Sequence, residues 1–130
     1  MTKVIGIGGF FFKSKNPDAL RAWYEKHLGL EFDDWGSVSF RFEETSPAGR
    51  DVYAVWGPFQ ADTRYFDPSP SSFMFNFRVD DLDAMLEKLE GDGVTVLPEL
   101  EEDESCGRFA WVLDCDSNKI ELWEPPLKKK

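Results

Sequence analysis

Apolar and polar positions change period several times along this chain, and the changes mark out its elements. Residues 3–12 (KVIGIGGFFF) form an apolar run rich in β-branched and aromatic side chains, which predicts a strand. The glycines inside it, Gly6, Gly8 and Gly9, mark a bulge or close approach by another group. They lack the spacing and the Lys-Ser/Thr ending of a phosphate loop. Asn16-Pro17-Asp18 then starts a helix, with Asn16 as N-cap and Pro17 at the first helical position. Leu20, Trp23, Tyr24, His27 and Leu28 recur at helical spacing, and Gly29 ends the helix. Residues 30–35 read as a strand leading to a turn at Gly36, the alternating residues 37–43 as another, and residues 52–56 as a third. Ser46-Pro47-Ala48-Gly49 is a loop, and residues 57–70 are a long connection with Arg64, Tyr65 and Phe66 at its middle.

The pattern then restarts. Residues 73–79 (FMFNFRV) alternate strictly, a strand signature. Asp80-Asp81 caps a helix with the stripe Leu82, Met85, Leu86 and Leu89, ending near Gly91 and Gly93. Residues 94–97 read as a strand and residues 99–104 as an acidic loop. Residues 109–113 and 119–123 read as two strands about the turn Asp114-Cys115-Asp116-Ser117-Asn118. The order is β-α-β-β-β twice. Internal matches support a duplication: Phe10 and Phe12 precede Phe75 and Phe77 by 65 positions, as Asp18-Ala19 precede Asp83-Ala84. At the module ends, Ala54-Val55-Trp56-Gly57-Pro58 aligns with Glu121-Leu122-Trp123-Glu124-Pro125, two residues longer.

Composition narrows the classes. At 130 residues the chain fits one domain, residues 1–130, with one module at about 1–60 and the other at about 71–126. A net charge of −10 argues against nucleic acid, whose phosphates need a basic face. The tail Lys128-Lys129-Lys130 is too short to change that. No run reaches the length of a membrane span and no leader pattern precedes the first strand, so the expected setting is cytoplasmic, with Cys106 and Cys115 as free thiols.

The paired modules, the segment NPDALRAWYEKHLGL and the ending D-x-D-x-N-K-I-E-L-W-E-P resemble the vicinal oxygen chelate superfamily of glyoxalases, bleomycin-resistance proteins and extradiol dioxygenases. The resemblance spans nearly the whole chain. It implies an α+β fold in which two tandem βαβββ modules form a curled mixed sheet, a cup, with helices on the outer face. It also implies a divalent metal held by side chains in the first and last strands of each module. Those positions fall on Gly9, Met74, Ala54 (or Trp56, if the alignment shifts by one strand period) and Glu121. One carboxylate does not make a protein metal site, so neither metal nor other cofactor is expected. His27 lies on the first helix, away from these positions.

Strand parity places Gly9, Phe11, Ala54, Trp56, Met74, Asn76, Arg78, Glu121 and Trp123 on the cup face. Phe10, Phe12, Phe75, Phe77, Ile120 and Leu122 then lie under the helices. The cup is aromatic and small-residue-rich with a few polar groups, as small-molecule pockets are. Glu121 needs a partner there, with Arg78, Arg41 and Lys119 as candidates, because an unpaired buried carboxylate costs several kcal/mol. Arg64, Tyr65 and Phe66 either close over the cup or cover a hydrophobic edge.

Two functions follow. One is a metal-free small-molecule binding protein that takes a small aromatic or partly apolar ligand, with Phe11, Trp56 and Trp123 as walls and Asn76, Arg78 and Glu121 as polar handles. The other is a glyoxalase-related lyase or isomerase with Glu121 as catalytic general base, with or without a weak metal site completed by water and substrate. The resemblance further implies a homodimer.

Overall fold

The computed structural model describes residues 2–41 and 53–127. The expected loop Ser46–Gly49, the end of the strand expected over 37–43 and the lysine tail lie outside them. The element order is β1 (Val4–Ser14), α1 (Pro17–Leu28), β2 (Val38–Arg41), β3 (Tyr53–Gln60), β4 (Phe73–Val79), α2 (Leu82–Gly91), β5 (Val96–Asp103), β6 (Gly107–Leu113) and β7 (Lys119–Glu124). Among the described residues, the strands join one seven-stranded mixed sheet in the order β2-β3-β1-β4-β7-β6-β5, an α+β arrangement with two helices.

The duplication is visible in the ladder. β1 pairs in parallel with β3, and β4 pairs in parallel with β7. The modules meet where β1 and β4 run antiparallel, with Phe10 opposite Phe75. Phe75 is also the residue 65 positions after Phe10, so the internal two-fold axis passes through that pair. The rings of Phe10 and Phe75 touch edge to face, with centroids 6.1 Å apart.

Local chemistry explains most boundaries. Asn16 accepts a hydrogen bond from the Ala19 N–H at 3.1 Å, Pro17 opens α1, and Gly29 closes it with φ 68°, a left-handed value that glycine adopts without strain. Asp81 caps α2 in the same way, through the Ala84 N–H. Four expectations differ from the structure. Residues 30–35 do not form a strand, because Asp33 accepts from the N–H groups of Trp35 and Ser37 and folds a turn there. β3 runs on to Gln60 through Pro58, whose missing N–H costs nothing because β2 pairs with β3 only as far as Trp56. The acidic run 99–104 is strand as far as Asp103: β5 forms the sheet edge, with a register shift beside Pro98 and exposed carboxylates that discourage further pairing.

The fourth concerns the outer face. α2 covers β5, β6 and β7 over Val79, Leu82, Met85, Ala110, Val112, Ile120 and Leu122. α1 covers β3, where Tyr24 meets Trp56 with centroids 4.7 Å apart. Neither helix covers the β1–β4 seam, so Phe10 and Phe75 stay 47% and 38% exposed.

Candidate functional site

The register fixes which side chains share the concave face. Across the middle of the sheet run Val55, Gly9, Asn76, Glu121 and Trp111. One pair further along run Gly6, Arg78, Trp123 and Phe109. Trp56 pairs with Phe10, not with Gly9. It therefore points to the outer face, where it packs on Phe12, Tyr24 and Phe32 rather than lining the cup. The same register corrects the alignment of module ends. Ile120 sits beside Phe75 as Trp56 sits beside Phe10, so the counterpart of Glu121 in the first module is Gly57, not Ala54. Short apolar matches hid this shift.

Glu121 is 3% exposed, and its partners are not the expected cations. Tyr65 Oη donates to its Oε2 at 2.8 Å, Trp111 Nε1 donates to the same oxygen at 2.9 Å, and Asn76 Nδ2 donates to Oε1 at 2.5 Å. Among the described residues no cation forms an ion pair with it. Arg78 turns its Nε to the Ile7 carbonyl at 3.2 Å, and a Cβ on Gly6 would collide with its Nη2. Lys119 Nζ donates to the Tyr65 carbonyl at 2.5 Å and lies over the rings of Tyr65 and Trp111. Arg41 lies over the Tyr53 ring. Burial pushes the Glu121 carboxyl up, the three donors pull it down, and Glu101 nearby adds to the rise; the net direction is upward. Burial and the adjoining carboxylate also raise the Tyr65 phenol, which stays protonated as a donor.

Sequence reasoning did not single out Trp111, and it read Tyr65 only as one of three residues that close over the cup or cover a hydrophobic edge, not as a partner of Glu121. Trp111 was legible in principle, since it shares parity with Glu121 across the predicted hairpin. Tyr65 was not, because it comes from the connection between modules, where no period constrains direction. That connection does close over the cup. Phe66 is fully buried with Met74 and Trp111, flanked by Phe11, Phe59, Leu97 and Phe109. Two further bonds hold the segment: Ser71 Oγ donates to Asn118 Oδ1, and the Lys13 N–H to the Ser72 carbonyl.

The glycines of β1 stand where other groups approach closely. A Cβ on Gly8 would lie 2.0 Å from Asn76 Oδ1, and one on Gly9 would lie 2.4 Å from the Val55 carbonyl oxygen. Asn76 thus lies flat across the floor that Gly8 leaves bare, its Oδ1 buried without a donor. At the next row Trp123 is buried between Tyr53, 4.9 Å away, and Phe109, stacked at 6.0 Å. Its Nε1 donates to the Cys106 carbonyl. Cys106 and Cys115 are both free thiols. His27 is exposed on α1 against Trp23, far from this cluster in the fold.

The four positions at which the resemblance puts metal ligands therefore carry Gly9, Gly57, Met74 and Glu121. Both oxygens of that carboxylate are already engaged, and no group of three or more His, Cys, Asp or Glu suited to a metal occurs among the described residues. This donor set does not fit a divalent ion.

Comparison with known proteins agrees with the fold. The chain matches methylmalonyl-CoA epimerase from Mycobacterium tuberculosis over 94% of its own length and 89% of that chain, with TM-score 0.60 and 22% identity. A methylmalonyl-CoA epimerase variant from Streptomyces coelicolor, in complex with 2-nitronate-propionyl-CoA, matches over 95% and 99% with TM-score 0.66 and 16% identity. The Mn(II)-bound glyoxalase from Novosphingobium aromaticivorans matches all of this chain and 43% of its own, with TM-score 0.65 and 21% identity. No curated protein matches in sequence. The profile of the Glyoxalase/Bleomycin resistance protein/Dioxygenase superfamily matches residues 7–122. With the duplicated modules and the mixed sheet, this match shows that the chain belongs to the glyoxalase/bleomycin resistance protein/dioxygenase superfamily.

Proposed function

We propose that this protein binds a small aromatic or partly apolar molecule in the cup between its modules, without the metal its superfamily commonly uses. The observation that carries this reading is the state of Glu121. It is the one carboxylate among the four superfamily positions, and three neutral donors from outside those positions satisfy it. The lining supports the ligand class: Phe11 and Tyr53 are partly exposed rings on the cup face, Tyr53 covering the buried Trp123, and Asn76, Arg78 and Glu121 offer polar contacts.

A lyase or isomerase reading is favoured by one observation, the upward push that burial gives the Glu121 carboxyl, which suits a general base. One experiment separates the two. A panel of small aromatic compounds is titrated by tryptophan fluorescence with EDTA or with added Mn²⁺ or Zn²⁺, for the wild type and Glu121→Gln. Binding is expected to ignore the metal and to change by less than about tenfold in the variant. Binding that requires the metal would sink the metal-free reading. Chemical conversion of a bound compound, lost in Glu121→Gln by orders of magnitude, would establish the enzyme instead.

A second copy of the chain is the macromolecular partner this reading expects. The seam of β1 and β4 presents Ile7, Phe10 and Phe75 to solvent on the internal two-fold axis, an uncharged patch on a chain of net charge −10. Phe10→Glu is expected to convert a dimer to a monomer in sedimentation equilibrium. A wild-type protein that is monomeric at tens of micromolar would contradict this.

A further inference from the structure

Tyr65 is bound by the cup as a ligand would be. Its ring stacks on Phe59 at 5.3 Å with an interplanar angle of 21° and meets the edge of Trp111 at 6.1 Å. The Lys119 ammonium lies 5.1 Å from its centroid, and its hydroxyl donates to Glu121 Oε2. One phenol thus receives a stacking face, an edge, a cation and a carboxylate acceptor, a complete set of contacts for a neutral hydroxylated ring.

The supply of this phenol differs from that of the other two donors to Glu121. Asn76 and Trp111 are 2% and 3% exposed and stand on strands, whereas Tyr65 is 36% exposed and stands on the connection between β3 and β4. Its neighbours divide the work. Phe66 is fully buried and anchors the connection, while the Arg64 side chain lies in solvent, 91% exposed. Outward rotation of the Tyr65 side chain would leave the buried Phe66 anchor in place.

We propose that Tyr65 is an internal ligand, and that the molecule the cup takes is a neutral phenol that replaces the Tyr65 ring and donates its hydroxyl to Glu121 Oε2. The inference rests on the small-molecule reading above and names its ligand class and its gate. Trp111 Nε1 and Asn76 Nδ2 continue to hold the carboxylate when Tyr65 leaves. Glu121 and Glu101 together disfavour anionic rings such as benzoate, because like charges repel across the poorly solvated cup.

The test uses the indole N–H resonances of Trp111 and Trp123 in ¹⁵N-labelled protein, titrated with phenol, toluene and benzoate. Phenol is expected to shift Trp111 in the wild type and to bind Tyr65→Ala about tenfold to a hundredfold tighter, since the competing ring is gone. Tyr65→Phe, which keeps the ring but loses its bond to Glu121, is expected to fall between them, and it carries the test alone if the alanine variant does not fold. Toluene and benzoate are expected to bind Tyr65→Ala at least about tenfold more weakly than phenol does. Equal phenol affinity in all three proteins, or toluene binding as tightly as phenol, would overturn the inference. A ring that shifts Trp123 and leaves Trp111 unmoved also overturns it while preserving the small-molecule reading. If no ring shifts either indole in any of the proteins, both fall.

Discussion

Replacing Phe66 by alanine is expected to destabilise the fold by about 3–5 kcal/mol, the cost of emptying a large aromatic site in a core that relaxes only partly. Phe66 is fully buried although it belongs to a connection rather than to a strand or helix. Its ring lies 5.2 Å from Phe59 and 6.3 Å from Tyr65, and Met74 and Trp111 complete the cluster. Phe59, Met74 and Trp111 project from β3, β4 and β6, whose backbones are fixed by the ladder and do not close on the void. Urea unfolding monitored by far-UV circular dichroism measures the loss as a lower midpoint at unchanged slope. A loss below about 1 kcal/mol would mean that the segment is not part of the cooperative core.

The second large effect is on pH dependence. The folded state raises the Glu121 carboxyl above its ordinary value of 4.5, so the native protein holds that proton more tightly than the unfolded chain does. The stability this contributes is fully present below the unfolded value and is lost as pH rises through the folded one. Wild-type stability relative to Glu121→Gln is therefore expected to fall as pH rises above 4.5 and to level off once the carboxyl is ionised in both states. Asp80, Asp83, Asp103 and Asp114 are shifted in the opposite sense. Asp83, for example, is held below its usual range by Arg108. The difference between wild type and variant, not either curve alone, isolates Glu121. The glutamine can be accommodated: its carbonyl accepts from Tyr65 and Trp111, and a flipped Asn76 turns its unpartnered oxygen to the new amide. A difference curve that rises over the same range would show that the three donors outweigh burial.

Arg108 shows why charge alone did not reveal the site. It contacts Asp83 and Glu102 at 2.8 Å and Glu124 at 3.8 Å, a network at the rim of a groove toward the C-terminus, and none of it reaches the cup. At the centre, a phenol, an indole and an amide do the work that an arginine or lysine was expected to do. A neutral donor can enter a buried space without the desolvation cost of a second ion.

Much was legible from residue order because it rests on local rules. The caps Asn16, Gly29 and Asp81, the alternation through residues 73–79 and the 65-residue repeat each express a backbone or periodic constraint acting over a few residues. They sufficed for the two helices, the inward direction of Glu121 and Asn76, and a Phe10–Phe75 match that proved to be a contact. Register and the path of irregular segments were not legible. The ladder turned Trp56 to the outer face and made Gly57 the counterpart of Glu121, because a shift of one residue reverses every side chain on a strand. Likewise only the folded chain could bring Tyr65 to Glu121. The two are 56 residues apart, and the hydroxyl reaches the carboxylate because a connection without periodicity packs Phe66 into the cup. The sequence by itself determined that one carboxylate would face an aromatic hollow. The tertiary structure decided that a tyrosine from the chain's own loop would be its partner, since the burial of a neighbouring phenylalanine, not any local preference, directs that loop inward.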